Sequence, residues 1–283
     1  MQLALSVKEE IDGASWDADI LAMASVLRLP MTYIVHRVLR KVGAASVLGV
    51  SDDTINLFLE ELEMGYRKEN PYHNGTHAAD VAYTTHLMLE HGVRKAANLS
   101  SLQAVACILA AVGHDFRHPG INNNLLVHQR DDLAIVYNDK SVLEQMHLTE
   151  FFKLLKRPEC NVFAKLTRAQ YTEVRKAIIQ MVLATDMSVH FKYLAKLKAK
   201  FLPPAADKRV EPEGDVDQIF LCKMMLHAAD ISNPAKPRLH YFEWTDRVLA
   251  EFYAQGDQER ALGDEGPGIS TFFDREKPNV IKW

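Results

Sequence analysis

Residues 100–115 read SSLQAVACILAAVGHD, a nearly continuous apolar run that ends in a histidine and an aspartate. The run has the length of a helix, and a helix that is apolar on all sides is normally buried. His114 and Asp115 then stand where this helix ends, and a turn, HPG, follows at 118–120. We therefore expect the helix to lie in the core and to present an imidazole and a carboxylate at its edge.

Apolar residues spaced by three and four recur along most of the chain, and no stretch alternates as a strand would. Two segments rich in proline, glycine and charge, 202–215 and 263–279, are predicted to be loops. The further predicted helices cover 17–27, 31–43, 54–68, 166–187, 218–234 and 239–257. The fold class is therefore all-α, a compact multi-helix bundle that forms a single domain over residues 1–283.

Several helix ends carry a local signal. Ser51 precedes the predicted third helix as an N-cap, and Thr167 stands three residues before Gln170 in capping-box register. Gly43 suits the end of the second helix, and Gly256 is predicted to end the last one.

Composition narrows the class of protein. The chain has 283 residues, a net charge of −4 and only scattered basic residues, which argues against nucleic acid as a partner. No apolar run approaches the roughly 18 to 20 residues of a membrane span. Its three cysteines lie far apart without a CxxC pair, which indicates a reducing compartment. We expect an intracellular, cytoplasmic protein that acts on a small molecule.

Histidines and carboxylates recur within the apolar helices. In YHNGTHAADVAY (72–83), His73 and His77 are four residues apart and would share one helix face, with Asp80 three residues further on. Asp186 and Asp230 occupy similar settings in LATDM and HAADISNP. One alternative is that each is an ordinary core residue with a partner. Burying several such groups is costly unless they are paired or bound to a metal, so their recurrence favours a metal site.

A site of two histidines, His77 and His114, and two aspartates, Asp115 and Asp230, would suit Zn²⁺. The second oxygen of Asp115 could reach a harder ion such as Mg²⁺. Such an ion pair makes hydroxide available near neutral pH and holds the oxygens of a phosphoryl displacement.

Six motifs appear in a fixed order along the chain: YHNGTHAADV, GHDFRHPG, YNDKSVLEQMHL, MVLATDMSVHF, HAADISNPAKP and WTDRVLAEFYAQGD. Together they resemble the catalytic domain of class I cyclic nucleotide phosphodiesterases, and most closely the cAMP-specific types. The resemblance implies an HD-type helical domain that hydrolyses 3′,5′-cyclic nucleotides to 5′-monophosphates and so ends their signalling, with cAMP as the substrate and the use of cGMP as well left open. It implies a metal-bridging hydroxide, with Zn²⁺ and Mg²⁺ as the two ions and Mn²⁺ as an alternative at the second position.

The resemblance also implies a role for individual residues. His73 would be the general acid that protonates the leaving 3′-oxygen. The metal ligands would be His77, His114, Asp115 and Asp230. The residues around the metal-bound waters and the phosphate would be His118, Glu144, Thr185 and Asp186. The nucleotide pocket would be formed by Tyr72, Met187, Asn233, Pro234, Tyr241, Trp244, Thr245, Val248 and Phe252.

Two features depart from the family pattern. Arg117 replaces an aspartate of the usual HDxDHPG, and because it precedes a turn we expect its side chain to point to solvent. The chain also ends at Trp283, where the family's purine-binding glutamine would follow. One alternative is that the base pocket is open. We expect instead that this sequence is part of a longer domain, because an exposed aromatic pocket is a liability in a soluble protein, and a longer parent chain could carry regulatory domains.

Two other functions compete with this interpretation. A broader His-Asp metal phosphohydrolase would share the two-metal chemistry, but it does not predict HAADISNP followed by the helix of Trp244. A sensing module that binds cyclic nucleotides without turnover would be expected to lack a ligand or the acid. The aromatic residues Tyr241, Trp244 and Phe252, at helical spacing, could equally be core side chains.

Overall fold

The computed structural model describes residues 2–201, 214–263 and 266–277. Over these residues the chain contains α-helices and short 3₁₀ and π turns without any β-strand, which confirms the predicted all-α class. The helices are α1 (Gln2–Gly13), α2 (Ile20–Val26), α3 (Pro30–Lys41), α4 (Ala44–Leu48), α5 (Asp52–Gly65), α6 (Gly75–Met88), α7 (Arg94–Ala96), α8 (Ser101–Gly113), α9 (Asn123–His128), α10 (Asp132–Tyr137), α11 (Val142–Leu154), α12 (Arg168–Val182), α13 (His190–Phe201), α14 (Gly214–Asp230) and α15 (Arg238–Ala261).

Helices α6 and α8 lie at the centre of the bundle. Helix α6 packs against α3, α8 and α14, and α8 packs in addition against α12 and α4. Every residue of α8 from Ala104 to Gly113 is buried, as its all-round apolar sequence predicts. The ends of these two central helices carry the predicted ligands His77, His114 and Asp115, so the packing of the core fixes where those side chains lie.

The predicted N-caps are present. The Ser51 hydroxyl accepts a hydrogen bond from the Thr54 amide at 3.1 Å at the start of α5. Thr167 and Gln170 form the predicted capping box of α12. A second capping box, Ser100 with Gln103, opens α8. These bonds satisfy amides that the first turn of a helix leaves without partners.

The prediction that the last helix ends near Gly256 is wrong, because α15 continues to Ala261. A Cβ atom on Gly256 would lie 1.9 Å from the carbonyl oxygen of Phe273. The glycine is therefore needed for a close approach between α15 and the segment 266–277. In the same contact the rings of Phe252 and Phe273 stack with their centroids 4.5 Å apart.

The two predicted loops have different outcomes. Residues 202–213, which make up most of the first, lie outside the described residues, and 214 and 215 already belong to α14. The described part of the second, 266–277, forms turns and bends without a helix or strand. None of the helices in the described residues is long and apolar enough to cross a membrane.

Candidate active site

The motif at 72–83 folds around the start of α6. Asn74 is the N-cap, and its side-chain oxygen accepts hydrogen bonds from the amides of Thr76 at 2.9 Å and His77 at 3.3 Å. The helix therefore begins at Gly75, and His73 precedes it. The prediction that His73 and His77 share one helix face is wrong for this reason. The two rings still lie close together, edge to face, with centroids 5.8 Å apart.

The four predicted metal ligands converge from three helices. His77 lies in the first turn of α6, His114 and Asp115 follow α8, and Asp230 is the last residue of α14. His77 Nε2 is 3.0 Å from an Asp230 oxygen and 3.5 Å from an Asp115 oxygen. His114 Nε2 is 3.2 Å and 3.1 Å from the same two carboxylates. The four potential ligand atoms lie within 4.8 Å of one another.

The end of α8 fixes the direction of His114. Its Nδ1 donates to the carbonyl oxygen of Ala111 at 2.7 Å, which leaves Nε2 for the carboxylates. Gly113 allows the helix to approach α11, since a Cβ there would lie 2.4 Å from the Phe151 ring. Orientation of a ligating imidazole through its other nitrogen is common in metal sites.

The charges in this cluster are coupled. Burial alone would lower the pKa of His114, but the Asp115 and Asp230 carboxylates outweigh it and raise that pKa well above its usual range. Burial alone would raise the pKa of both aspartates, and the neighbouring histidines instead hold both values low. Both carboxylates are therefore ionised around neutral pH, and the cluster can accept a cation.

His73 lies beside the cluster and is held by Glu251 of α15. Its Nδ1 hydrogen-bonds one Glu251 oxygen, and the other oxygen accepts from the backbone amides of Tyr72 and His73, each at 3.0 Å. The His73 ring also stacks on His118 at a centroid distance of 4.0 Å. Burial opposes protonation, but Glu251 and the nearby aspartates outweigh it and raise the pKa of His73.

Sequence reasoning missed Glu251 and His147. Both lie within quoted motifs, WTDRVLAEFYAQGD and YNDKSVLEQMHL, but nothing in the spacing links them to His73 or Asp115. The His147 Nδ1 donates to the Phe116 carbonyl at 2.7 Å, and its Nε2 is 3.7 Å from Asp115. Burial lowers the pKa of His147 to about 4, so it is neutral at physiological pH.

Arg117 points away from the cluster. It has a positive φ of 64°, and its guanidinium donates to Glu150 at 2.7 Å with 56% of the side chain exposed. The predicted outward orientation is confirmed. His118 lies on the inner side of the same turn, where its Nδ1 accepts from the Gly120 amide at 3.0 Å. Burial, together with the nearby His73, lowers the pKa of His118 well below its usual value.

A cavity of about 680 Å³ opens onto the cluster. Glu144 lines it and accepts a hydrogen bond from the side-chain amide of Asn123 at 3.0 Å. Burial raises the pKa of Glu144 to about 7. Thr185 donates to the Val182 carbonyl, and Asp186 accepts from the Ser141 hydroxyl at 2.6 Å. The cavity lining includes these predicted residues: His73, Asp115, His118, Glu144, Thr185, Asp186, Met187, Asp230 and Phe252.

The other seven predicted nucleotide residues are not part of this lining. Tyr72 and Trp244 are buried together with Leu21 in a small apolar cluster, with Val248 packed against it. The Tyr72 hydroxyl donates to the Asn233 side-chain oxygen. The remaining three residues of this group do not line the cavity either; they are Pro234, Tyr241 and Thr245.

Asn233, which bonds to Tyr72 of the apolar cluster, also belongs to a buried polar network. Its Nδ2 donates to Asp80 at 3.3 Å, and Asp80 also pairs with the ammonium of Lys236. Lys236 in turn donates to the Thr84 hydroxyl at 3.2 Å. Lys236 was not predicted from the sequence, because a lysine in a proline-flanked turn ordinarily faces solvent.

Comparisons with known proteins agree on one family. The model of the 3′5′-cyclic nucleotide phosphodiesterase family matches residues 72–283. The chain is 37% identical over 282 residues to the 3′,5′-cyclic-AMP phosphodiesterase 4C of Rattus norvegicus, covering 97% of this chain and 51% of that protein. It is 33% identical over 295 residues to the high affinity cAMP-specific and IBMX-insensitive 3′,5′-cyclic phosphodiesterase 8A of Mus musculus, covering 99% and 35%. The chain thus spans about half or less of these relatives.

A solved structure supports the same grouping at the level of the fold. The phosphodiesterase domain of the RhoPDE fusion protein from the choanoflagellate Salpingoeca rosetta superposes with a TM-score of 0.83 at 28% identity. The match covers 92% of this chain and 79% of that domain.

Proposed function

The chain belongs to the 3′5′-cyclic nucleotide phosphodiesterase family, and from this premise we propose that it hydrolyses cAMP to the 5′-monophosphate, with cGMP as a second candidate substrate. The names of the rat and mouse relatives support cAMP as a substrate. The observation that carries the proposal is the convergence of four ligand-type side chains beside a histidine–glutamate pair, with Asp115, Asp230, His73 and Glu251 of this group lining one cavity.

The donor set fits a divalent metal. Two imidazole nitrogens and two ionised carboxylates meet in a buried cluster, which is a typical zinc environment, and we assign the tight position to Zn²⁺. We assign the second position to Mg²⁺, or Mn²⁺, reached through Asp115. When bound, the ions would lower the pKa of a water molecule and offset charge on the phosphoryl oxygens.

We assign proton donation to His73. Glu251 accepts the hydrogen bond from Nδ1, so the proton at Nε2 is the one available to a leaving group. Because Glu251 also raises the pKa of His73, it favours the protonated form that a general acid needs. The cleaved 3′-oxygen would take this proton as it leaves phosphorus.

The remaining predicted residues divide into two groups. We assign His118, Glu144, Thr185 and Asp186 to hydrogen bonding around the phosphate and its waters, and their position at the cavity supports this. We assign Met187 and Phe252, which line the cavity, to contact with the base. We assign Tyr72, Asn233 and Trp244, with Pro234, Tyr241, Thr245 and Val248, to the wall that supports the nucleotide pocket.

We also propose an intracellular, cytoplasmic location. Cys107, Cys160 and Cys222 are all buried free thiols, which suits a reducing compartment.

Steady-state hydrolysis of both nucleotides tests the proposed function. We expect turnover with Mg²⁺ present, loss of turnover after chelation, and recovery when Zn²⁺ and Mg²⁺ are returned. Comparing Mn²⁺ with Mg²⁺ in the recovery step identifies the ion that the second position prefers. Absence of hydrolysis of both nucleotides in the presence of Mg²⁺ would refute the proposal.

A further inference from the structure

A strained turn at 138–141 borders the cavity. Asn138, Asp139 and Ser141 have positive φ values of 53°, 58° and 43°. Non-glycine residues seldom occupy this left-handed region, although Asn and Asp do so more readily than Ser, and such conformations are concentrated at functional sites. The turn joins α10 to α11. Three of its four residues are non-glycine residues in the left-handed region.

Hydrogen bonds hold this turn at both ends. The Asp139 amide donates to the Ala134 carbonyl at 3.0 Å, and the Lys140 amide donates to the Tyr137 carbonyl at 3.3 Å. On the other side, the Ser141 hydroxyl donates to Asp186, which also lines the cavity. The backbone that carries Lys140 is therefore fixed relative to the phosphate side of the cavity.

The charges of the cavity are unbalanced. Its described lining includes Asp115 and Asp230, which we assign to the metal ions, and Glu251, which pairs with His73; beyond these it includes the carboxylates of Asp139, Glu144 and Asp186. Lys140 is the only lysine or arginine among the described lining residues. Its side chain is exposed, and no described carboxylate lies within ion-pair distance of it. Besides the metal ions, an anionic substrate approaching this cavity thus meets one permanent side-chain cation, on a backbone that the turn holds in place.

We propose that Lys140 binds the phosphate of the incoming nucleotide and offsets the repulsion from the acidic lining. This inference rests on the proposed function, since it needs a phosphodiester anion as the substrate. Lys140 is a substrate-binding residue and takes no part in bond cleavage. Its attraction acts similarly on the bound substrate and on the transition state, so it should lower KM and leave kcat nearly unchanged.

The test compares Lys140→Ala with the wild-type chain in steady-state kinetics at low ionic strength. We expect KM to rise about fivefold with kcat within about twofold, and the difference to shrink to less than about twofold near 0.5 M salt. Lys140→Arg should restore most of the loss. Lys156→Ala is the matched control, because it removes the same charge from an exposed position that is not part of the cavity lining.

Two further measurements separate charge from shape. Asp139→Asn removes a negative charge from the same turn and should lower KM, the opposite sign to Lys140→Ala. The product 5′-monophosphate carries more negative charge than the substrate, so its inhibition constant should rise more than KM does in Lys140→Ala.

The outcomes distinguish the two proposals. If the wild-type chain hydrolyses neither nucleotide, the proposed function fails. If it hydrolyses them and Lys140→Ala has the KM of the wild-type chain at low salt, the inference about Lys140 is overturned. A fall in kcat that Lys140→Arg does not restore would also overturn it, because such a fall indicates a distorted turn.

Discussion

Helix α6 contributes to two buried polar clusters that differ in how their charge is balanced. One turn apart on this helix, His77 and Asp80 belong to different clusters. His77 lies with His114, Asp115 and Asp230 in what we call the ligand cluster, and Asp80 lies in the network of Asn233 and Lys236. In the network, an aspartate and a lysine only 1% and 3% exposed neutralise each other. In the ligand cluster, Asp115 and Asp230 remain 12% and 19% exposed toward the cavity.

The comparison separates support from reaction chemistry. A carboxylate paired with a lysine needs no further cation, and its burial closes the site to solvent. Two carboxylates paired only with histidines keep an open side and can exchange those hydrogen bonds for a metal ion. The ligand cluster is thus suited to bind, and the Asp80 network is suited to hold the nearby wall in place.

Asp230→Ala tests the ligand cluster and should have the largest effect. The Asp230 carboxylate is a proposed metal ligand and lies against both His77 and His114, so its removal should abolish tight metal binding and lower kcat by about a thousandfold or more. Metal content by mass spectrometry and turnover of cAMP measure the two effects together. Asp246→Ala, an exposed position on α15, is the control and should keep both. A fully metallated Asp230→Ala protein would contradict the ligand assignment.

His73→Ala tests the residue that lies beside the ligand cluster without belonging to it. We expect kcat to fall by about 100- to 1,000-fold, because the proton donor is lost, while metal content stays at the wild-type level. Glu251→Gln should lower kcat less, since it retains a hydrogen-bond partner for Nδ1. Unchanged turnover in His73→Ala would rule out the assignment of His73 as the acid.

Lys236→Met breaks the closed network. It leaves the Asp80 carboxylate buried without its cation, and we expect a loss of about 3 kcal/mol in the free energy of unfolding. Denaturant titration measures this loss, and the protein should still bind metal at the native level. The double variant Asp80→Asn, Lys236→Met should recover part of the stability. If the single variant were as stable as the wild-type protein, the contrast between the two clusters would not hold.

Glu144→Gln sharpens the contrast at the cavity, where a half-buried carboxylate has no described cationic partner. The pKa of Glu144 in the folded protein is about 7, above the ordinary 4.5, so the folded state favours the protonated form. The protonated Glu144 side chain therefore stabilises the folded state fully below about pH 4.5, and this stabilisation is lost as the pH rises through 7. In metal-free protein, the unfolding free energy of the wild type relative to Glu144→Gln should fall by about 2 kcal/mol between pH 5 and 8. A constant difference would contradict this pKa.

The local features of the fold could be predicted because short-range rules govern them. The capping box at Thr167 and Gln170 depends only on residues within one turn, and the burial of α8 follows from its own apolar sequence. Gly256 misled the prediction, because a glycine that ends a helix and one that permits a close contact look alike in a sequence. Only the approach of Phe273 distinguishes them.

The candidate site was predictable where the motifs themselves carry the ligands. His77, His114, Asp115 and Asp230 meet as predicted, although up to 153 positions separate them. The position of His73 beside them could not be predicted from the local sequence. The helix begins only after Asn74, and Glu251, 178 positions away, holds the ring.

The sequence by itself determined the helical class, several helix boundaries and the residue types of the proposed metal-dependent phosphodiesterase site. The tertiary structure decided which of those groups are charged, which are closed off and which face a cavity. The physical reason is that burial and partners set the state of an ionisable side chain, and most of these partners lie far away in the chain. Asp80 and Asp230 are the same residue type in similar local sequences, and only the lysine against one and the histidines against the other make them different.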